Sequence, residues 1–231
     1  MTTWQEVAAV FDYAGSRDFE AITGQRQAIM GNVLRLLGVA FVCTALGAVI
    51  GIRLGPGAMI LSIVGSIGTL IALYFAREKS PANLWLLYTF ATFEGMALGL
   101  ILESYVARGL GGAVMNATIT TGAVTLAAGT YATTTKRDLS GMGSILFIGL
   151  IAVIVASIVG IFIQLPLLHL GIAAVSALLF TGFLVFDINR VANAKGATQG
   201  ETIMLAVAVY LDIFNLFLAL LRIFGFFSND D

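Results

Sequence analysis

The stretch "LAVAVYLDIFNLFLALLRIFG", residues 205–225, decides the fold. It is apolar for long enough to cross a bilayer, which takes about 20 residues as a helix. Yet it holds Asp212 in its interior. At about 100° per residue, Glu201, Ala208, Asp212, Asn215, Ala219 and Arg222 share one helical face. That face is polar or small along its whole length, and the rest is mostly Ile, Leu, Phe and Val. Such a helix turns its stripe into a bundle and its apolar side outward. The preceding apolar run, "ALLFTGFLVFDINR" at 177–190, ends near a second carboxylate, Asp187, which shares a face with Ser176, Phe180 and Phe183.

Composition agrees with a chain that lives in lipid. Of its 231 residues, 59% are hydrophobic and 11% charged, against about 25% charged in soluble domains. Seven stretches are apolar enough to span, at 31–52, 56–76, 83–105, 112–133, 141–164, 167–188 and 203–224. The expected fold is an all-α membrane protein, a seven-transmembrane-helix bundle. It divides into a polar N-terminal cytoplasmic segment (1–28), a transmembrane domain (29–227) and a short acidic tail (228–231). The N-terminal segment lacks the basic-then-apolar start of a cleavable signal peptide. A net charge of -1 gives no sign of a nucleic-acid partner. One cysteine, Cys43, rules out an intramolecular disulfide. Cys43 and the single histidine, His169, are too few for a zinc, haem or iron–sulfur site, so no cofactor is expected.

Orientation follows from the basic residues. Arg17, Arg26, Arg35, Arg77, Lys79, Lys136, Arg137, Arg190 and Lys195 fall on the N-terminal side, and Arg53, Arg108 and Arg222 on the other. The positive-inside rule then puts the N-terminus in the cytoplasm and the C-terminus outside, in a multi-pass membrane protein. Gly47, Gly51 and Gly55, with Gly95 and Gly99, have the spacing of close helix–helix contacts. The fourth span is rich in threonine.

Four acidic residues lie in or near the spans. Glu103 is close enough to a span end to reach the interface. Glu94, Asp187 and Asp212 are deeper, where an ionised side chain costs about 2.5–3.5 kcal/mol even on lenient insertion scales. If the sixth helix continues past 188 or tilts, Asp187 and Asp212 meet in the cytoplasmic half of the bundle. Two such carboxylates cannot both stay ionised cheaply, so they are expected to share a proton. Arg77, at the end of the second span, lies at a depth suited to a cationic partner, and serves equally well as a positive-inside marker.

"FDINR" closing the sixth span, "YLDIFNLFLALLRIFG" in the seventh, and "LYFAREK" before "LLYTFATFEG" resemble the Bax inhibitor family, in a bacterial form. The resemblance covers nearly all of the chain from about residue 25. It implies six helices around a central seventh and a pH-sensitive calcium leak. It implies that Asp187 and Asp212 form the proton-sensing pair and gate, with Arg77 as a latch. Where some relatives have an acidic residue in the second span, this chain has Ser66, and it carries Glu94 in the third.

The leading expectation is therefore a calcium or other cation leak, not an enzyme, with no catalytic residue assigned. Carboxylate oxygens suit a hard cation. Asp187 and Asp212 would contact calcium in transit, and Glu94 and Asn215 are candidate path residues. The partners are the bilayer, calcium and protons. A second reading is a regulator that binds a membrane protease or another membrane protein, with Glu6, Asp12, Asp18 and Glu20 as the docking segment; the resemblance implies this role too. A remote third is an intramembrane aspartyl protease, but Asp212 has no preceding glycine and no "PAL" motif is present. A retinal protein is excluded, because 203–224 contain no lysine for a Schiff base.

Overall fold

The computed structural model describes the backbone of residues 4–228 and the side chains of residues 23–228. Glu6, Asp12, Asp18, Glu20 and Arg17 lie outside the described side chains, and 229–231 outside the described residues. The described chain is all helical: α1 (Trp4–Leu54), α2 (Ala58–Ala76), α3 (Ala82–Ala107), α4 (Gly111–Thr134), α5 (Met142–Phe162), α6 (Pro166–Asn193) and α7 (Gln199–Phe227). Six of these are long and apolar enough to cross a membrane, α1 over Thr23–Leu54 and then α2, α3, α5, α6 and α7. Large apolar side chains such as Phe75, Ile145, Phe162 and Leu178 are exposed, as expected of a surface that meets lipid rather than water.

α4 is the helix that falls short of the apolar criterion. Its 24 residues carry Asn116 and seven threonines. Many of those hydroxyls are already used: Thr118, Thr121, Thr130, Thr133 and Thr134 each donate to a carbonyl four residues back. A hydroxyl bonded within its own helix has little need of water, so a low apolar content does not make this helix hydrophilic in the same proportion.

Between helices in lipid, association rests on close packing rather than on removal of surface from water. α1 and α3 achieve it through glycine. A Cβ at Gly47 or Gly51 would overlap the backbone of Thr92 or Met96, and one at Gly95 or Gly99 the backbone of Thr44 or Ala48. The two pairs of glycines thus seat each helix directly on the other's main chain. Gly55 has a different task. It follows Leu54 with φ +72°, a left-handed turn that ends α1, and nothing lies near its missing Cβ.

α7 packs against α1, α3, α4 and α6, and it is the most buried of the six apolar spans. At its centre Tyr210 is fully buried. Its ring lies among Phe41, Phe90 and Phe214, and its hydroxyl is 2.8 Å from that of Thr44. The helix starts on a capping box: Glu201 N–H donates to Thr198 Oγ1 at 3.1 Å, and Thr198 N–H to Glu201 Oε2 at 2.8 Å. Thr198 Oγ1 also donates to Glu78 at 3.0 Å. Gly200 sits where a Cβ would press on Glu78 and the Arg77 carbonyl, so the start of α7 is held on the turn after α2. Glu201 therefore serves the cap.

α6 continues to Asn193 instead of ending near 188. The polar residues that seemed to end the span hold the extra turn together. Asn193 Nδ2 donates to the Asn189 carbonyl, and Asn189 Nδ2 to the Ala132 carbonyl of α4 at 2.8 Å.

Candidate functional site

The extension of α6 brings Asp187 to the α6–α7 interface, where it and Asp212 line one cavity of about 820 Å³. Both polar stripes read from the sequence converge there. Ser176, Phe180 and Phe183 line it from α6, and Ala208, Asn215, Ala219 and Arg222 from α7. α5 closes the third side, with Ser157 as its polar contribution. Asp187 and Asp212 are each only 5% exposed, and they line the cavity from two packed helices.

The two aspartates are held differently. Arg190, one turn along α6, donates to Asp187 Oδ1 at 2.6 Å, the one ion pair among the described residues. The Arg190 guanidinium also lies 5.6 Å from the Phe186 ring centre. Asp212 Oδ2 is buried and receives no hydrogen bond from any N–H or O–H among the described residues. A buried carboxylate oxygen with no donor is unfavourable. A proton held between the carboxyl groups would supply that donor.

Arg77 and Glu94 do not line this cavity. The Arg77 guanidinium rests over the ring of Tyr74, 5.3 Å from its centre, and its carbonyl accepts from Asn83 Nδ2 at 2.7 Å. The cation in contact with Asp187 is Arg190, which the charge count had used only for orientation. Its i,i+3 spacing in "DINR" was the available signal. Glu94 is half-buried in α3, and the Ser66 hydroxyl of α2 donates to the Ile63 carbonyl at 3.3 Å.

Asn215 does line the cavity. Its Nδ2 is tied to the Leu211 carbonyl at 2.8 Å, which leaves Oδ1 available. His169 was overlooked as a lining residue, and no sequence pattern marks it. Only the packing of α6 on Gly160 of α5, whose missing Cβ would lie 3.5 Å from His169 Nε2, places it there. Among the described residues no three His, Cys, Asp or Glu side chains converge to hold a metal ion. Two carboxylates and an amide oxygen offer a hard cation fewer than the six to eight ligands of a calcium-binding site.

Comparison with known proteins covers most of the chain. The family model described as inhibitor of apoptosis-promoting Bax1 matches residues 26–229. A membrane protein of Vibrio cholerae is 34% identical over 207 residues, 88% of this chain and 91% of its own length. The modulator of FtsH protease YccA of Escherichia coli K12 is 32% identical over 207 residues, 87% of this chain and 91% of its own. The Golgi anti-apoptotic protein of vaccinia virus strain Lister is 36% identical over 168 residues, 73% of this chain and 68% of its own. The chain is a helical, multi-pass membrane protein that belongs to the Bax1-inhibitor family.

Proposed function

We propose that the protein is a proton-gated cation leak whose sensor is the Asp187–Asp212 pair. The observation that carries this reading is the presence of two nearly buried carboxyl groups, one with an oxygen lacking a donor among the described residues, on a single cavity between α6 and α7. With one proton between them, the pair bridges the two helices and carries a single negative charge, offset by Arg190. When that proton leaves, the two like charges repel in a poorly screened site. The bridge is lost, and the cavity gains negative charge that favours a cation. In this reading all seven helices cross the bilayer and α7 is the one the others surround. The internally bonded threonines of α4 and the contacts of α7 with four neighbours support it. Arg77 acts as a latch only by leaving Tyr74.

Flux of calcium and of potassium into liposomes, compared at about pH 6 and about pH 8, tests the proposal. Flux is expected to be higher at the upper pH and to lose this dependence in Asp212→Asn. Equal pH dependence in Asp212→Asn and the unsubstituted protein excludes the pair as sensor.

A second reading is favoured by one comparison: the Escherichia coli relative is named a modulator of a membrane protease. The chain would then bind such a protease, with or without conducting. Capture of the purified protease by the full chain, and by a chain lacking residues 1–25, tests it. Undiminished capture by the shortened chain removes Glu6, Asp12, Asp18 and Glu20 from the docking surface; no capture by either removes the reading.

A further inference from the structure

A second cavity, of about 660 Å³, opens at the end of the bundle where α3, α5 and α7 stop. Arg108, Arg222, His169, Gln164 and Tyr105 line it, and among the described residues no aspartate or glutamate does. Glu103 lines a different cavity, beside Pro56 and Ser104. Neither arginine is in an ion pair among the described residues. The ring of Tyr105 lies on Gly225, where a Cβ would come within 2.6 Å of it, so the ends of α3 and α7 close on each other. Arg108 stays at that junction because its Nε donates to the Ser104 carbonyl at 3.0 Å and its guanidinium stacks 4.7 Å from the Tyr105 ring centre. His169 Nδ1 is 2.9 Å from the Leu165 carbonyl. Donation through Nδ1 leaves Nε2 on the side of Gly160, which also lines this cavity.

Two arginines lining one cavity with no acid among the described residues call for an anion, and planar guanidinium forks suit a phosphate. The surroundings decide which phosphate. Leu170 and Phe226 line the same cavity, and the neighbouring Phe162, Leu167 and Phe227 are exposed. A soluble anion gains nothing from that apolar rim, whereas an acyl chain does.

We propose that this cavity binds the phosphate of an anionic membrane lipid, held between Arg108 and Arg222. The consequence for transport rests on the leak reading, but the binding does not. Ile161, His169 and Arg222 line both cavities. A phosphate on Arg222 therefore offsets the cation that stands between the end of the bundle and the aspartates.

The test uses the purified full chain in detergent, titrated with phosphatidylglycerol, phosphatidylcholine or inorganic phosphate, with bound lipid read by native mass spectrometry. Phosphatidylglycerol is expected to bind in preference to phosphatidylcholine. Arg108→Gln and Arg222→Gln are each expected to weaken it by about tenfold or more, the scale of one lost charged hydrogen bond. Arg53→Gln, at the same end but outside the cavity, is expected to leave binding unchanged. Arg108→Lys and Arg222→Lys keep the charge and serve if either glutamine variant fails to fold; binding between that of the unsubstituted chain and background is expected. Equal binding of the two lipids, or preference kept at full strength in both glutamine variants, overturns the site. Displacement of phosphatidylglycerol by equimolar inorganic phosphate overturns the lipid as its source. Lipid preference with pH-independent flux leaves the site standing and sinks the leak, and the opposite pair of results does the reverse.

Discussion

Among the described residues Asp187 has a cation in contact and Asp212 has none, and this asymmetry gives the pair its expected behaviour. Arg190 holds the charge of Asp187 at 2.6 Å, so a shared proton is better placed against the unpartnered Oδ2 of Asp212. Removing the cation should favour the protonated pair, because an ionised Asp187 would lose its counter-charge. Arg190→Gln is therefore expected to move the midpoint of pH-dependent flux to higher pH. Arg77→Gln, whose parent side chain rests on Tyr74, is expected to move it less. A liposome flux titration of both variants checks the order. At this scale the sequence was informative where periodicity applied. The faces holding Asp187 and Asp212 follow from 3.6 residues per turn, and all their cavity-facing members but Glu201 line the site. Glu201 was misjudged because a capping box and a polar stripe draw on the same residue types. Glu94 and Arg77 were harder to place, since depth along a helix does not reveal which neighbour the side chain meets.

Among the elements, α1 and α3 carry the sharpest packing prediction. Gly95 faces the backbone of Thr44, whereas Gly68 in α2 has open space where a Cβ would be. Alanine is better than glycine within a helix by roughly 0.5–1 kcal/mol. Gly68→Ala is thus expected to hold or raise the unfolding temperature in detergent. Gly95→Ala is expected to lower it, with overpacking of about 1–3 kcal/mol outweighing the helical gain. Opposite signs from the same substitution would be read in a single thermal-unfolding comparison. Small-residue spacing marked α1 and α3 for close packing without naming the partner of either, and it could not separate Gly47 and Gly51 from Gly55. Those two meet a neighbouring helix, and Gly55 ends its own with a positive φ. The reach of α6 to Asn193 was obscured for a related reason. Asn189, Arg190 and Asn193 read as a polar stop, yet each hydrogen-bonds in a way that keeps the helix or its contacts intact.

For the molecule as a whole, two cavities on one side of α7 share Ile161, His169 and Arg222 and lead from the aspartates to the end of the bundle. On its other side Tyr210 and Thr44 join in a closed aromatic core. This division lets one side of α7 change its charge while the other keeps its packing. Tyr210→Phe, which removes the hydroxyl from that core, is expected to cost about 1 kcal/mol of stability and to leave the pH dependence of flux in place. Unfolding and flux measured on the same preparation would show both. The shared proton itself is most directly tested by infrared spectroscopy of carboxylic-acid groups in the full chain, titrated between about pH 6 and about pH 8. The expected result is a protonated carboxyl signal that fades over the same interval in which flux rises and is missing from Asp212→Asn, where Arg190 keeps Asp187 ionised. A signal unchanged by pH, or one that persists equally in Asp187→Asn and Asp212→Asn, would contradict a proton shared by the pair.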